Sequence, residues 1–97
     1  MIRSFKDQGT DDIFDGRNSK PARKTCPHSL WNVARRKLDQ LDSIENIEEL
    51  SVPPGNRPEV LSGKRSGQFS IRINDQYRIC FVWTETGPAE VEIVDYH

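Results

Sequence analysis

The apolar positions of this chain change from helical to alternating spacing at Val52-Pro53-Pro54-Gly55-Asn56-Arg57-Pro58. After an alternating start, Met1-Ile2-Arg3-Ser4-Phe5, which predicts an edge strand, a short helix is expected over Asp7 to Phe14, anchored by Ile13 and Phe14. Leu30, Ala34, Leu38 and Leu41 then recur at intervals of four, four and three and predict an amphipathic helix, its start marked by Pro27 or Ser29. Asp42 and Glu45 have capping-box spacing, and Ile44, Ile47 and Leu50 predict a second, shorter helix that makes a hairpin with the first. The Pro-Pro-Gly loop stops the helix, because proline lacks the amide donor a helix needs.

Beyond the loop the apolar period changes to two within the strands. Val60-Leu61 reads as a short strand. Phe69, Ile71 and Ile73 share one face of the next, and Ile79, Phe81 and Trp83 one face of the third. Thr86-Gly87-Pro88 is a turn, and Val91 and Ile93 lead the last strand. The expected architecture is α+β: a helical hairpin packed on one face of a three- to four-stranded antiparallel sheet, the other face open.

Length and composition narrow this further. The 97 residues make one domain, and a hydrophobic content of 34% with mean hydropathy −0.75 leaves only a modest core. Residues 15–29 are Gly, Asn, Ser, Pro and basic residues with almost nothing to bury, so a flexible basic segment is expected there. It reads either as an arm that contacts nucleic acid or becomes ordered against a partner protein, or as a linker with no role. No membrane span or signal peptide is visible, which suggests a cytoplasmic protein with Cys26 and Cys80 as free thiols. With no CxxC or HxxxH spacing, neither a metal nor another cofactor is expected.

The net charge of −1 hides segregated blocks. Arg17 to Lys37 holds seven basic residues and no acid; Asp39 to Glu49 holds five acids and no base. From Arg57 to Arg78, five basic residues face only Glu59 and Asp75. Such blocks are either solvated faces or, gathered by the fold, a nucleic-acid surface.

Strand register says more. The loop Asn74-Asp75-Gln76 sets Ile71 opposite Ile79 and Phe69 opposite Phe81, which places Arg72 opposite Arg78 on the open face. Opposed like charges destabilise a strand pair unless an anion such as phosphate sits between them or the side chains splay into water. In the last strand the same alternation places Tyr96 beside the arginines. It leaves Asp95 and His97 on the other parity, to be brought round by a bulge or the strand's end. Two arginines, a carboxylate, a phenol and an imidazole suit RNA phosphodiester cleavage, which needs a base for the 2′-OH, cations at phosphorus and an acid for the 5′ oxygen.

The segments Gly55-Asn56-Arg57, Leu61-Ser62-Gly63, the run from Gly67 to Trp83 and Val91-Glu92-Ile93-Val94-Asp95-Tyr96-His97 resemble the HigB branch of the RelE/ParE toxin superfamily, GraT-type members above all. The resemblance implies a type II toxin that cuts mRNA in the ribosomal A site. It implies a helix-turn-helix antitoxin of the HigA or GraA kind, with operator DNA bound through the toxin–antitoxin complex. It assigns catalysis to Arg72, Arg78, Asp95, Tyr96 and His97. Asn56, Arg57, Lys64, Arg65, Arg35 and Arg36 are the expected RNA and ribosome contacts. Some HigB proteins carry a histidine and a lysine where Glu59 and Ser62 stand here, with Lys64 or Arg65 as a replacement for the lysine. The acid–base work then falls to Asp95 and His97. Two other readings fit the same fold: a ParE-like inhibitor of DNA gyrase, and a non-catalytic RNA- or ribosome-binding growth inhibitor.

Overall fold

The computed structural model describes residues 1–96; His97 lies outside the described residues. Helix α1 spans Gln8–Asp15. Asp7 caps it by accepting from the Thr10 amide at 2.6 Å, and Gly16, at φ 78°, ends it with a left-handed turn that suits glycine.

The stretch expected to lack packing holds a second helix, α2, Lys20–Thr25, with Ala22 and Cys26 buried. Two features make this possible. Ser19 caps α2, accepting from the Ala22 amide and donating to Asp12 of α1 at 2.6 Å. Gly9 removes an obstacle, since a Cβ there would lie 1.9 Å from the Thr25 hydroxyl and 2.5 Å from the Pro21 carbonyl. The helical hairpin is therefore formed by α1 and α2.

Helix α3 spans Trp31–Ser43 and buries Trp31, Ala34, Leu38 and Leu41. Each fully buried leucine contributes about 1.5–3 kcal/mol of transfer free energy. The shorter helix expected after it is only a 3₁₀ segment, Ile47–Ser51, and its capping box is Asn46 with Glu49. Asp42 is used elsewhere, accepting from the Ile2 amide at 2.8 Å. Leu50 is buried all the same, so the apolar period holds although the element is a tighter helix.

Four antiparallel strands follow in meander order: β1 Glu59–Val60, β2 Gln68–Arg72, β3 Tyr77–Thr84 and β4 Gly87–Asp95. Phe69↔Phe81, Ile71↔Ile79 and Arg72↔Arg78 pair as the loop length requires. Asn74 shapes that loop, its side-chain oxygen accepting from the Gln76 and Tyr77 amides. Phe81 opposes both Glu90 and Val91, a bulge with Glu90 at φ 50°. Residues 1–6 run parallel to the outer edge of β4, with one bridge, Phe5↔Val91, in place of a full strand. The buried cluster joins the α3 stripe to Ile71, Ile79, Phe81, Val91 and Ile93. Thr10 ties α1 to this sheet by accepting from the Ile93 amide at 3.0 Å.

The second face is less open than expected. Ser70 and Cys80 are fully buried there, Arg78 is only 8% exposed, and Leu61 is buried outside the main cluster. The segment from Arg57 to Gln68 covers part of this face, as its bonds to Arg78 and Glu92 show.

Candidate functional site

Two concavities adjoin on the partly covered face, with Tyr96 lining both. The first, about 200 Å³, is lined by Arg57, Glu59, Arg72, Asn74, Asp75, Arg78 and Tyr96. The second, about 270 Å³, is lined by Arg65, Val94, Asp95 and Tyr96. Register produces this arrangement: Arg72, Arg78 and Val94 form one row across three strands, and Tyr96 follows Val94 on the same parity.

Arg78 is the most firmly held. Its Nε donates to the Ser70 hydroxyl at 2.7 Å, and its Nη2 to the Arg57 carbonyl at 2.6 Å and the Ser70 carbonyl at 3.3 Å. The remaining nitrogen, Nη1, stands 4.0 Å from the Glu59 carboxylate. Arg57 presents its carbonyl from a left-handed conformation at φ 40°, unusual for a residue with a Cβ and costing about 1–2 kcal/mol. Arg72 pairs with the fully exposed Asp75. The hydrogen bond and charge of Arg72 hold the Asp75 carboxyl below its ordinary value. Three guanidinium groups thus converge on a cleft whose carboxylates, Glu59 and Asp75, are both at its exposed margin.

Not every expected site residue comes here. Asp95 pairs with Tyr77 across the ladder, and its carboxylate accepts from the Gln76 side chain at 3.1 Å; it reaches the second concavity but not the first. The Tyr96 amide donates to the Gln76 carbonyl at 2.6 Å, so the ladder continues past β4 and fixes this end of the chain. His97, expected to act here, lies outside the described residues. Lys64 is exposed on the 3₁₀ turn Gly63–Arg65 and lines neither concavity. Arg35 and Arg36 are exposed on α3 and line other hollows, Arg35 with Trp31 and Asn32, Arg36 with Lys37 and Gln40.

Asn56 requires a correction. Expected as an RNA contact, it is fully buried. Its amide donates to the Gln40 side chain and to the Leu50 and Val52 carbonyls, and its oxygen accepts from Lys37. It fixes the turn that aims Arg57, and it lines the hollow of Arg36, Lys37 and Gln40 from within. Lys37 was not foreseen at all. Desolvation, then the charges of Arg36, Arg72 and Arg78, push its pKa below the ordinary lysine value, so the edge of α3 lies in the field of the cleft. Ser70 was also overlooked, although it shares the parity of Arg72 and was legible on that ground.

The chain matches, over residues 3–97, the family model described as RelE-like toxin of type II toxin–antitoxin system HigB. It is 36% identical over 97 residues to Toxin HigB-1 of Vibrio cholerae serotype O1, covering 100% of this chain and 98% of that one. An uncharacterized protein of Haemophilus influenzae is 44% identical over 55 residues, 57% of this chain and 54% of its own length. Among solved structures, a chain of a YoeB–YefM complex from Staphylococcus aureus superposes with a TM-score of 0.60 at 13% identity, covering 100% of this chain and 98% of that one, a likeness of fold.

Proposed function

This chain belongs to the HigB-like family of RelE-like toxins of type II toxin–antitoxin systems, and from that membership we propose that it halts translation by cutting ribosome-bound mRNA without a metal. The cleft of Arg57, Arg72, Arg78, Glu59 and Tyr96 is the observation that carries the reading. Guanidinium forks match phosphate oxygens, and an anion between Arg72 and Arg78 relieves their opposition.

The chemistry needs no external nucleophile. The substrate's 2′-OH attacks the adjacent phosphorus, its proton passes to a base, and the P–O5′ bond breaks as the 5′ oxygen takes a proton. The products are a 2′,3′-cyclic phosphate and a free 5′-OH. Arg72 and Arg78 stabilise the charge that builds on the phosphoryl oxygens; one such donor is worth about 10²–10³ in rate. Glu59 is our choice of base in place of Asp95, because Asp95 does not line this cleft and Asp75 is already hydrogen-bonded to Arg72, whereas Glu59 stands 4.0 Å from its nearest cation. Tyr96, and His97 beside it in the chain, are assigned to the leaving oxygen, with Asp95 supporting the terminus.

A type II toxin implies an antitoxin partner, and the structurally similar chain from S. aureus comes from a YoeB–YefM complex. We assign that partner a helix-turn-helix fold, operator binding by the pair, and a cytoplasmic setting. Arg35, Arg36 and Lys64 are placed toward ribosomal RNA. Among the described residues no helix is long and apolar enough to cross a membrane.

Primer extension on message translated in the presence of purified protein tests the reading. Cuts within the message are expected, slowed by about 10²–10⁴ in Glu59→Gln, the usual contribution of a proton-transfer group. Intact message on ribosomes that carry the protein would overturn it.

A further inference from the structure

Beside the arginine cleft, a charged chain crosses the same face of the sheet. Glu92 sits opposite Cys80, one row from Arg78 and Val94. Its side chain is only 15% exposed, and it holds two cations from distant parts of the chain: Lys6 at 3.2 Å and Arg65 at 3.6 Å. Arg65 comes from the turn after β1 and reaches over β2 and β3 to meet Glu92 on β4. Gln68 accepts from its other terminal nitrogen at 3.1 Å. Glu92 and Gln68 thus grip the guanidinium from two sides, where a long side chain on an exposed turn would otherwise be free. Arg65 remains 30% exposed, and it forms a wall of the concavity shared with Val94, Asp95 and Tyr96.

A buried carboxylate is a poor choice for a surface that binds polyanions, since it repels them. Its presence is explained if orienting Arg65 is worth more than the repulsion it adds. Tyr96 lines both concavities, so a strand whose phosphate sits at Arg72 and Arg78 must pass that ring to reach Arg65. We infer that Arg65 is a second phosphate-binding residue, taking the phosphate next to the one held by Arg72 and Arg78, and that Glu92 is the positioning residue that aims it. The inference rests on the RNA reading of the arginine cleft and adds the direction in which the strand runs: from the Arg72–Arg78 cleft, over Tyr96, toward β4 and residues 1–6.

The test is an NMR titration of the intact protein with a 2′-O-methyl RNA trinucleotide, which binds but has no 2′-OH to react. Affinity is followed across a salt series in wild type, Arg65→Gln, Arg72→Gln, Glu92→Gln and the Arg65→Gln/Glu92→Gln double variant. Each lost phosphate contact flattens the log K against log salt slope by about 0.7 for single strands. Arg65→Gln is expected to flatten it by that amount and to weaken binding several-fold. The same change in the Glu92→Gln background is expected to matter less than half as much, since an unaimed Arg65 has little left to lose. An Arg65→Gln slope equal to wild type, with Arg72→Gln flattened, overturns the second phosphate site and leaves the first cleft standing. Equal effects of Arg65→Gln in both backgrounds overturn the role of Glu92. If the trinucleotide perturbs neither concavity, the inference and the RNA reading beneath it fall together.

Discussion

Ser70 receives Arg78 through both its hydroxyl and its carbonyl, at 2.7 and 3.3 Å, from the neighbouring strand. The pair is buried, so the bond carries structural weight as well as aim. Ser70→Ala leaves the Arg78 Nε without its partner and is expected to cost about 1.5–3 kcal/mol, the range for hydrogen bonds to charged groups. Cleavage is expected to fall by about tenfold to a hundredfold, because a small misplacement of a charge-stabilising group is costly. Urea melts and initial rates on translating ribosomes measure the two effects. A stable Ser70→Ala protein with an unchanged rate would show that this clamp does not aim Arg78.

Arg72 behaves differently because it is less buried and faces a like charge. Arg72→Gln loses the bond to Asp75 but relieves the opposition to Arg78, so its unfolding free energy should stay within about 0.5 kcal/mol of wild type. Activity should nevertheless drop by about 10²–10³. Inorganic phosphate should raise the melting temperature of wild type more than that of Arg72→Gln, by linkage of anion binding to folding. Equal thermal shifts in the two proteins would remove Arg72 from the anion site.

Asn56→Ala is expected to act on folding. It strands the Leu50 carbonyl, the Lys37 ammonium and the Gln40 side-chain oxygen, while the Val52 carbonyl keeps its bond from Gln40, and should lower stability by about 2–4 kcal/mol. The midpoint of a urea melt gives the answer. Normal stability with RNA binding lost would restore the direct contact that the sequence had suggested.

Asp12 links α1 to α2 and should make their contact acid-sensitive. Hydrogen bonds from Ser19, and next from Gln8, hold its carboxyl below the ordinary 3.8 in the folded protein. A depressed folded pKa stabilises the protein at pH above 3.8, and that contribution disappears as pH falls through the folded value. Hydrogen exchange at the Ala22 and Arg23 amides should therefore accelerate below about pH 4 in wild type, and the acid step should be absent in Asp12→Asn. Exchange insensitive to pH after correction for the intrinsic rate would remove Asp12 as the linkage.

What could be read in the sequence was local and periodic. The pairing of Arg72 with Arg78 followed from alternation and a loop length, and it did not require the rest of the molecule. The parity of Tyr96 was also legible, because it was counted from Val91 and Ile93, and the bulge at Glu90 precedes Ile93 in the chain. Asn56 and Glu92 were not legible. Burial of an amide or a carboxylate depends on partners 19 residues away for Lys37 and 86 for Lys6, distances no local pattern spans. Helix α2 was missed for a related reason: six residues with one buried alanine make a helix only once Gly9 lets another helix lie close.

The bridge between Phe5 and Val91 bears on how the toxin is made. Residues 1–6 are made well before β4 and must wait for it before they have an edge to lie against. Tyr96 follows β4, so the ring shared by the two concavities is made after the rest of their lining. Both hollows are thus completed only once β4 has been made and has joined the sheet.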